Sequence, residues 1–241
     1  MAKLRAAWAA LILGLSVAGA HADTLPLPDS LTGFSTHDGE VYFAESDARE
    51  AYFPLADAFV TQKTQAYCGV ASIVMVLNAL GVPAPPVPEY APYRTFTQDN
   101  VLDERTDAVL PRETLARQGM TLDQIGGILA TQPVQAEVHH AADSSADEFR
   151  KLASAYLGES GHFVLVNYLR KAMGEQLGGH ISPLAAYDAK ADRFLILDVA
   201  RYKYPPVWVK TADLFAAMNT PDAANDNKSR GFVLVTAAAA H

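Results

Sequence analysis

One cysteine, Cys68, stands in 241 residues. A single thiol cannot close an intramolecular disulfide, so it is either a packed small hydrophobe or a reactive group. Basic residues are scarce as well: 19 Lys and Arg face 27 Asp and Glu, for a net charge of −8. With no long basic stripe, the chain is a poor candidate for nucleic-acid binding. No Cys-x-x-Cys and no His-x-x-x-His occurs, which argues against a structural metal. There is no internal repeat, and past the first residues no apolar run is long enough to span a bilayer. Half of the residues are hydrophobic and 19% are charged, a globular composition with ample material for a core.

The beginning of the chain is a separate matter. "MAKLRAAWAALILGLSVAGAHA" has Lys3 and Arg5, a short apolar stretch, and Ala20-His21-Ala22, a small-x-small cleavage pattern. This is the layout of a secretory signal peptide over residues 1–22. The alternative, an uncleaved membrane anchor, is disfavoured by the shortness of the apolar stretch. Cleavage removes two basic residues and no acid, which moves the net charge from −8 to about −10. The mature chain, residues 23–241, is expected to be one domain, periplasmic or secreted, without membrane contact.

Along that mature chain, residues 23–49 show turn residues and little periodicity. Helix is expected from "DAREAYFPLADAFV". "GVASIVMVLNAL" is apolar and free of charge, the pattern of a buried helix, and Gly81 and Pro83 stop it. "VPAPPVPEYAPYRTFTQDN" reads as a proline-rich surface loop. Short helices follow at "PRETLARQG" and "TLDQIGGILATQ", the second opened by Thr121 and Gln124 in capping-box spacing. "VQAEVHH" alternates as a strand. "SSADEFRKLASAYLG" is a further helix, with Ser145 and Glu148 as a second capping box. Then the period changes: "HFVLVNYL", "GHISPLAAYD", "RFLILDVA" and "GFVLVTAAAA" are strand-like, with "DAKAD" as a hairpin loop and "TADLFAAMN" as a last helix. Helices first and an antiparallel sheet second is an α+β plan, a helical half packed on a sheet half.

Cys68 lies at the start of the apolar helix, where the positive end of the helix dipole favours a thiolate. Gly69 removes bulk beside the sulfur. Gln62, six residues earlier, can present an amide N–H to a developing oxyanion together with the Cys68 backbone N–H. Among seven histidines, His180 in "GGHISP" starts an apolar strand behind two glycines that permit close approach. Asp198 sits inside the apolar run "RFLILDVA", a costly place for an unpaired acid. A hairpin of residues 180–188 and 193–200 brings His180 and Asp198 onto neighbouring strands. Cys68, His180 and Asp198, in that order behind Gln62, follow the order of papain-like hydrolases, whose third member is usually Asn. The bland reading of each residue alone is a packed cysteine, a satisfied histidine and an edge-strand acid.

"AYCGVASIVMVLNALG", "NYLRK", "GGHISPLAAYD" and "FLILDVARYKYPPVWV" resemble the catalytic domain of phytochelatin synthases, and most of all its short prokaryotic members. The resemblance covers about Val41 to Thr236. It implies a papain-like fold, with Cys68, His180 and Asp198 on the triad positions and Gln62 on the oxyanion position. It implies cleavage of the Cys–Gly bond of glutathione through a γ-glutamylcysteinyl thioester, which water or a second glutathione then accepts. The plant enzymes carry a cysteine-rich C-terminal extension that is absent up to His241, so hydrolysis is expected to outweigh phytochelatin synthesis. No cofactor is required on this reading. Soft ions (Cd, Zn, Cu) enter as glutathione–metal thiolates or act as modulators through Cys68.

Glutathione and this chain are both anionic, so the pocket needs local positive charge. Arg170 and Lys171, Arg201 and Lys203, and Arg230 are the candidates, with Asn167 and Gly179 as further substrate contacts. His139 and His140 alternate across a strand and chelate poorly. Two other readings stand beside this one: a periplasmic metal-binding module, and a papain-like peptidase or amidase of other specificity. A homodimer is one option for its assembly.

Overall fold

The computed structural model describes residues 24–238. The proposed signal peptide and the terminal His241 lie outside them.

Seven strands form one antiparallel sheet in the order β1-β6-β5-β4-β3-β7-β2. They are β1 (Thr32–Gly33), β2 (Val134–His140), β3 (His162–Leu169), β4 (Gly179–Asp188), β5 (Arg193–Ile196), β6 (Val207–Lys210) and β7 (Gly231–Ala237). The helices α1 (His37–Glu45), α2 (Tyr52–Asp57), α3 (Cys68–Ala79), α4 (Glu104–Val109), α5 (Arg112–Gln118) and α6 (Leu122–Leu129) come mainly before the sheet, with α7 (Ala146–Leu157) and α8 (Thr211–Met218) inserted among the strands. The α+β plan expected from the sequence is therefore present. Among the described residues no helix is long and apolar enough to cross a membrane.

α3 is the central helix. Every residue from Cys68 to Leu77 is buried, as a charge-free sequence requires, and it packs across β4. β4 in turn has buried residues on both faces from His180 to Asp188. It pairs with β3, placing Tyr168 opposite His180, and with β5 through the Asp188–Arg193 turn. A bulge between Leu184 and Ala186 shifts the β4–β5 register, which re-aims the chain beyond β5 toward the His180 end.

Three readings change. Residues 24–49, where the sequence shows little periodicity, hold a helix: Thr36 caps α1 by accepting from the Gly39 N–H at 3.2 Å. Ser145 caps α7 by accepting from Glu148 N, but the Glu148 carboxylate takes the Ser144 hydroxyl, so only half of the expected capping box forms. The Thr121–Gln124 box is complete in both directions. Finally, β5 ends at Ile196, so Asp198 lies two residues beyond the strand and not within it.

Candidate active site

Cys68 is the first residue of α3, where unpaired helix N–H groups and the dipole face the sulfur. The Ser72 hydroxyl, one turn on, lies 2.8 Å from the Cys68 carbonyl and 3.2 Å from that of Ile181. That link ties the nucleophile's turn to the residue after His180. Cys68 is buried, and burial opposes ionisation of the thiol. A hydrogen bond from His180, the charge of His180 and the backbone at Ile181 and Gly69 outweigh it, so the thiol lies below its ordinary value of 9.0.

His180 directs Nε2 to Asp198 Oδ1 at 2.8 Å and to the Ser182 hydroxyl at 3.0 Å. Its ring stands edge-on to Tyr168 at 5.7 Å. Burial would push the imidazole down. The Asp198 charge and hydrogen bond, with the bond to Cys68, push it up to about 9. The same attractions, with those of Arg170, hold the Asp198 carboxyl at about 2 despite its burial. The arrangement favours a thiolate–imidazolium pair oriented by a carboxylate.

Asp198 has further donors. Ala200 N–H reaches Oδ1 at 2.8 Å, and Arg170 Nη2 lies 3.0 Å from Oδ1 and 2.7 Å from Oδ2. Arg170 also donates Nη1 to Glu175 Oε2 at 2.6 Å, and its guanidinium lies between the Tyr168 and Tyr204 rings at 6.0 and 5.1 Å. Its side chain is 3% exposed. This corrects the expectation that Arg170 grips a substrate carboxylate: its charge is spent on Asp198 and Glu175.

Two cavities flank the Cys68–His180 pair. One, of about 130 Å³, is lined by Cys68, His180, Met120, Asn167, Asp222 and Arg230. The other, of about 270 Å³, is lined by His180, Gly179, Gln62, Tyr202 and Lys203, with Arg170 at its floor. A larger cavity of about 590 Å³ lies off this site, between α2, α3 and residues 95–98, and holds neither Cys68 nor His180. Chemistry places the site at the two smaller ones.

The expected residues sort accordingly. Asn167, Gly179, Arg230 and Lys203 line the cavities. Lys171 and Arg201 line neither: Lys171 is exposed, and Arg201 covers the Phe59 ring at 4.6 Å. Gln62 lies in the second cavity, with Nε2 donating to Thr64 O at 2.7 Å and to the Tyr202 hydroxyl at 3.1 Å. Its Oε1 is buried and unpartnered, as are Asn167 Nδ2 and Arg230 Nε. His139 and His140 are separately engaged, His139 stacked on Phe232 at 4.7 Å and His140 bonded to Asp123 at 2.7 Å. Among the described residues no three His, Cys, Asp or Glu side chains converge as a metal site.

Sequence reasoning missed Ser182, Glu175, Tyr202 and Asp222. The first three stand inside or beside the motifs already singled out. Asp222 sits in "PDAANDNKS", whose composition signals only a turn.

The sequence profile described as phytochelatin synthase matches residues 22–232. The chain is 32% identical to glutathione gamma-glutamylcysteinyltransferase 1 of Lotus japonicus over 92% of its own length and 43% of that protein's. It is equally identical to glutathione gamma-glutamylcysteinyltransferase 1 of Arabidopsis thaliana, over 45% of the relative. The glutathione gamma-glutamylcysteinyltransferase of Schizosaccharomyces pombe is 29% identical over 87% of this chain and 50% of the relative. The chain thus spans half or less of the length of these relatives. It belongs to the phytochelatin synthase family.

Proposed function

We propose that this member of the phytochelatin synthase family is a papain-like cysteine acyltransferase that cleaves the Cys–Gly bond of glutathione, chiefly by hydrolysis. The observation that carries the reading is the line Cys68–His180–Asp198 at the meeting point of two cavities. The relatives' names supply the substrate.

His180 takes the Cys68 proton, and the thiolate attacks the carbonyl carbon of the glutathione cysteine. The Cys68 N–H receives the oxyanion, and Gln62 joins it by turning one Nε2 hydrogen away from the Tyr202 hydroxyl. The C–N bond then breaks, and the imidazolium of His180 gives its proton to the glycine nitrogen. Water enters, His180 accepts its proton, and hydroxide attack on the thioester releases γ-glutamylcysteine and the Cys68 thiol.

The cavity walls fit this substrate. Arg230, with its unpartnered Nε, and Asp222 line the cavity beside Cys68 as an ion pair 3.5 Å apart, which the carboxylate and ammonium of the γ-glutamyl head would open and replace. Lys203 in the second cavity suits the glycine carboxylate. On this reading water is the main acceptor. Transfer to glutathione, giving phytochelatin, is the minor route. No cofactor takes part, and soft metals arrive as glutathione thiolates. The segment 1–22 directs export to the periplasm or beyond.

The test is incubation of the protein with glutathione, with and without cadmium, beside Cys68→Ala, with products read by mass spectrometry. Glycine and γ-glutamylcysteine that vanish in the variant support the hydrolase. Longer γ-linked peptides as the main product would reverse the order of the two routes. No glycine under reducing conditions would overturn the reading.

A further inference from the structure

The segment from Thr220 to Arg230 carries both Asp222 and Arg230 to the Cys68 cavity, yet little of it is buried. Its base is a narrow neck: Pro221 and Ser229 form an isolated bridge, Asp222 N donates to Lys228 O at 2.9 Å, and Arg230 N donates to Thr220 O at 3.0 Å. Beside a backbone bond from Ala141 N to Arg230 O at 2.9 Å, the side chains that hold this loop to the body lie outside the Cys68 cavity. His140, the last residue of β2, bonds the Ser229 carbonyl through Nδ1 at 2.6 Å and Asp123 Oδ1 through Nε2 at 2.7 Å. Asp123, in the first turn of α6, receives Lys228 Nζ on its other oxygen at 2.7 Å. Ser229 Oγ accepts from Ala142 N–H at 2.9 Å.

Both ring nitrogens of His140 are thus engaged, one by the loop and one by α6. The result is a hydrogen-bonded chain, Lys228–Asp123–His140, that crosses from the loop to α6 and β2 and returns to the loop at Ser229. None of its charged side chains lines the Cys68 cavity. The loop positions on either side of this anchor bear the two groups that do.

We propose that His140, Asp123 and Lys228 are positioning residues: they clasp the loop so that Asp222 and Arg230 stand at the right distance from Cys68, and so set substrate affinity without acting on the thiolate. The clasp works through Arg230, whose Nη1 is fixed within the loop on Pro221 O at 2.6 Å and on Thr220 Oγ1 at 3.1 Å. With the guanidinium locked to the loop, any shift of the loop carries the charge with it.

This rests on the reading of Asp222 and Arg230 as the substrate's contacts, and the test separates the two. His140→Phe, Asp123→Asn and Lys228→Met are compared with wild type for KM and kcat with glutathione, and for the rate of Cys68 alkylation by iodoacetamide. The expected result is a KM raised about tenfold in His140→Phe, the scale of one lost charged hydrogen bond. A smaller, severalfold rise follows in Lys228→Met, whose side chain is largely exposed. kcat and the alkylation rate stay within twofold of wild type in both. Lys228→Met removes only a surface charge, so it remains informative if His140→Phe fails to fold. Variants with unchanged KM, or with kcat and alkylation falling in step with it, overturn the clasp. A wild type that turns over no glutathione, and whose Cys68 glutathione does not protect from alkylation, overturns the underlying reading instead.

Discussion

Arg170 and Asp198 meet inside the protein with one guanidinium nitrogen 2.7 and 3.0 Å from the two carboxylate oxygens. The acid behind His180 is thus itself oriented, by a cation with almost no solvent exposure. Removing that cation leaves Asp198 and Glu175 buried without their shared partner. Arg170→Met is expected to cost about 3–5 kcal/mol of stability, the scale of breaking a buried charge network by one member. Arg170→Lys keeps the charge but loses the fork and restores only part. Chemical denaturation measures both. A variant as stable as wild type with a raised KM would return Arg170 to the role of substrate grip.

The Cys68–His180 pair titrates as a unit. Its charged form requires pH above the lowered thiol and below the raised imidazole, so kcat should fall on the alkaline side near pH 9, where the proton destined for the leaving group is lost. In Asp198→Asn the main attraction holding that proton disappears, and the alkaline limb should move toward neutrality. Linkage gives a second reading of the same shift. The folded imidazole lies above its ordinary 6.5, so its stabilisation is complete below that value and fades as pH rises through about 9. Denaturation midpoints of wild type should decline across that interval more steeply than those of His180→Gln. Superimposable curves would show that the raised imidazole is not what the fold contributes.

Gln62 is tethered by Thr64 and by the Tyr202 hydroxyl, which fixes its amide without engaging Cys68 itself. Gln62→Ala is expected to lower kcat by roughly 10²–10³-fold, the range for one lost oxyanion donor, with little change in melting temperature. Gln62→Glu should be worse, because a carboxylate repels the developing negative charge. Full turnover in the glutamate variant would take Gln62 out of the reaction. Tyr202→Phe, which loosens the tether alone, should cost only severalfold.

The sequence displayed the nucleophile and its partners clearly because each broke a local rule: one cysteine in the whole chain, a histidine behind two glycines, an acid in an apolar run. The bulged β4–β5 hairpin turned that last clue into contact. Other parts carried no such signal. α1 has two acids and Gly39 in its first turns, so no apolar stripe shows. Gly39 is there because a Cβ would stand 2.2 Å from the Gly33 carbonyl, and its own carbonyl takes the Trp208 indole N–H at 3.0 Å. The bond to Trp208 spans 169 positions, a contact that no window of sequence reveals. Likewise Arg170, Lys171 and Arg201 look alike as basic residues near motifs. Only packing decides that one is sealed under Asp198, one is exposed and one lies over an aromatic ring.

Ser182 offers the finest test of the geometry. Fully buried on β4, its hydroxyl oxygen lies 3.0 Å from His180 Nε2 and accepts from Val199 N–H at 3.3 Å. It therefore touches the histidine and the residue directly after Asp198, and helps set the spacing between them. Ser182→Ala leaves the Val199 N–H unsatisfied, at a cost of about 1–3 kcal/mol, and frees the imidazole to swing. The expected outcome is a kcat reduced by about tenfold and a slower alkylation of Cys68 at pH 7, with KM nearly unchanged, because the Arg230–Asp222 side of the pocket is untouched. A variant that loses stability yet alkylates at the wild-type rate would mean that Ser182 serves the fold alone, and that Asp198 holds His180 without it.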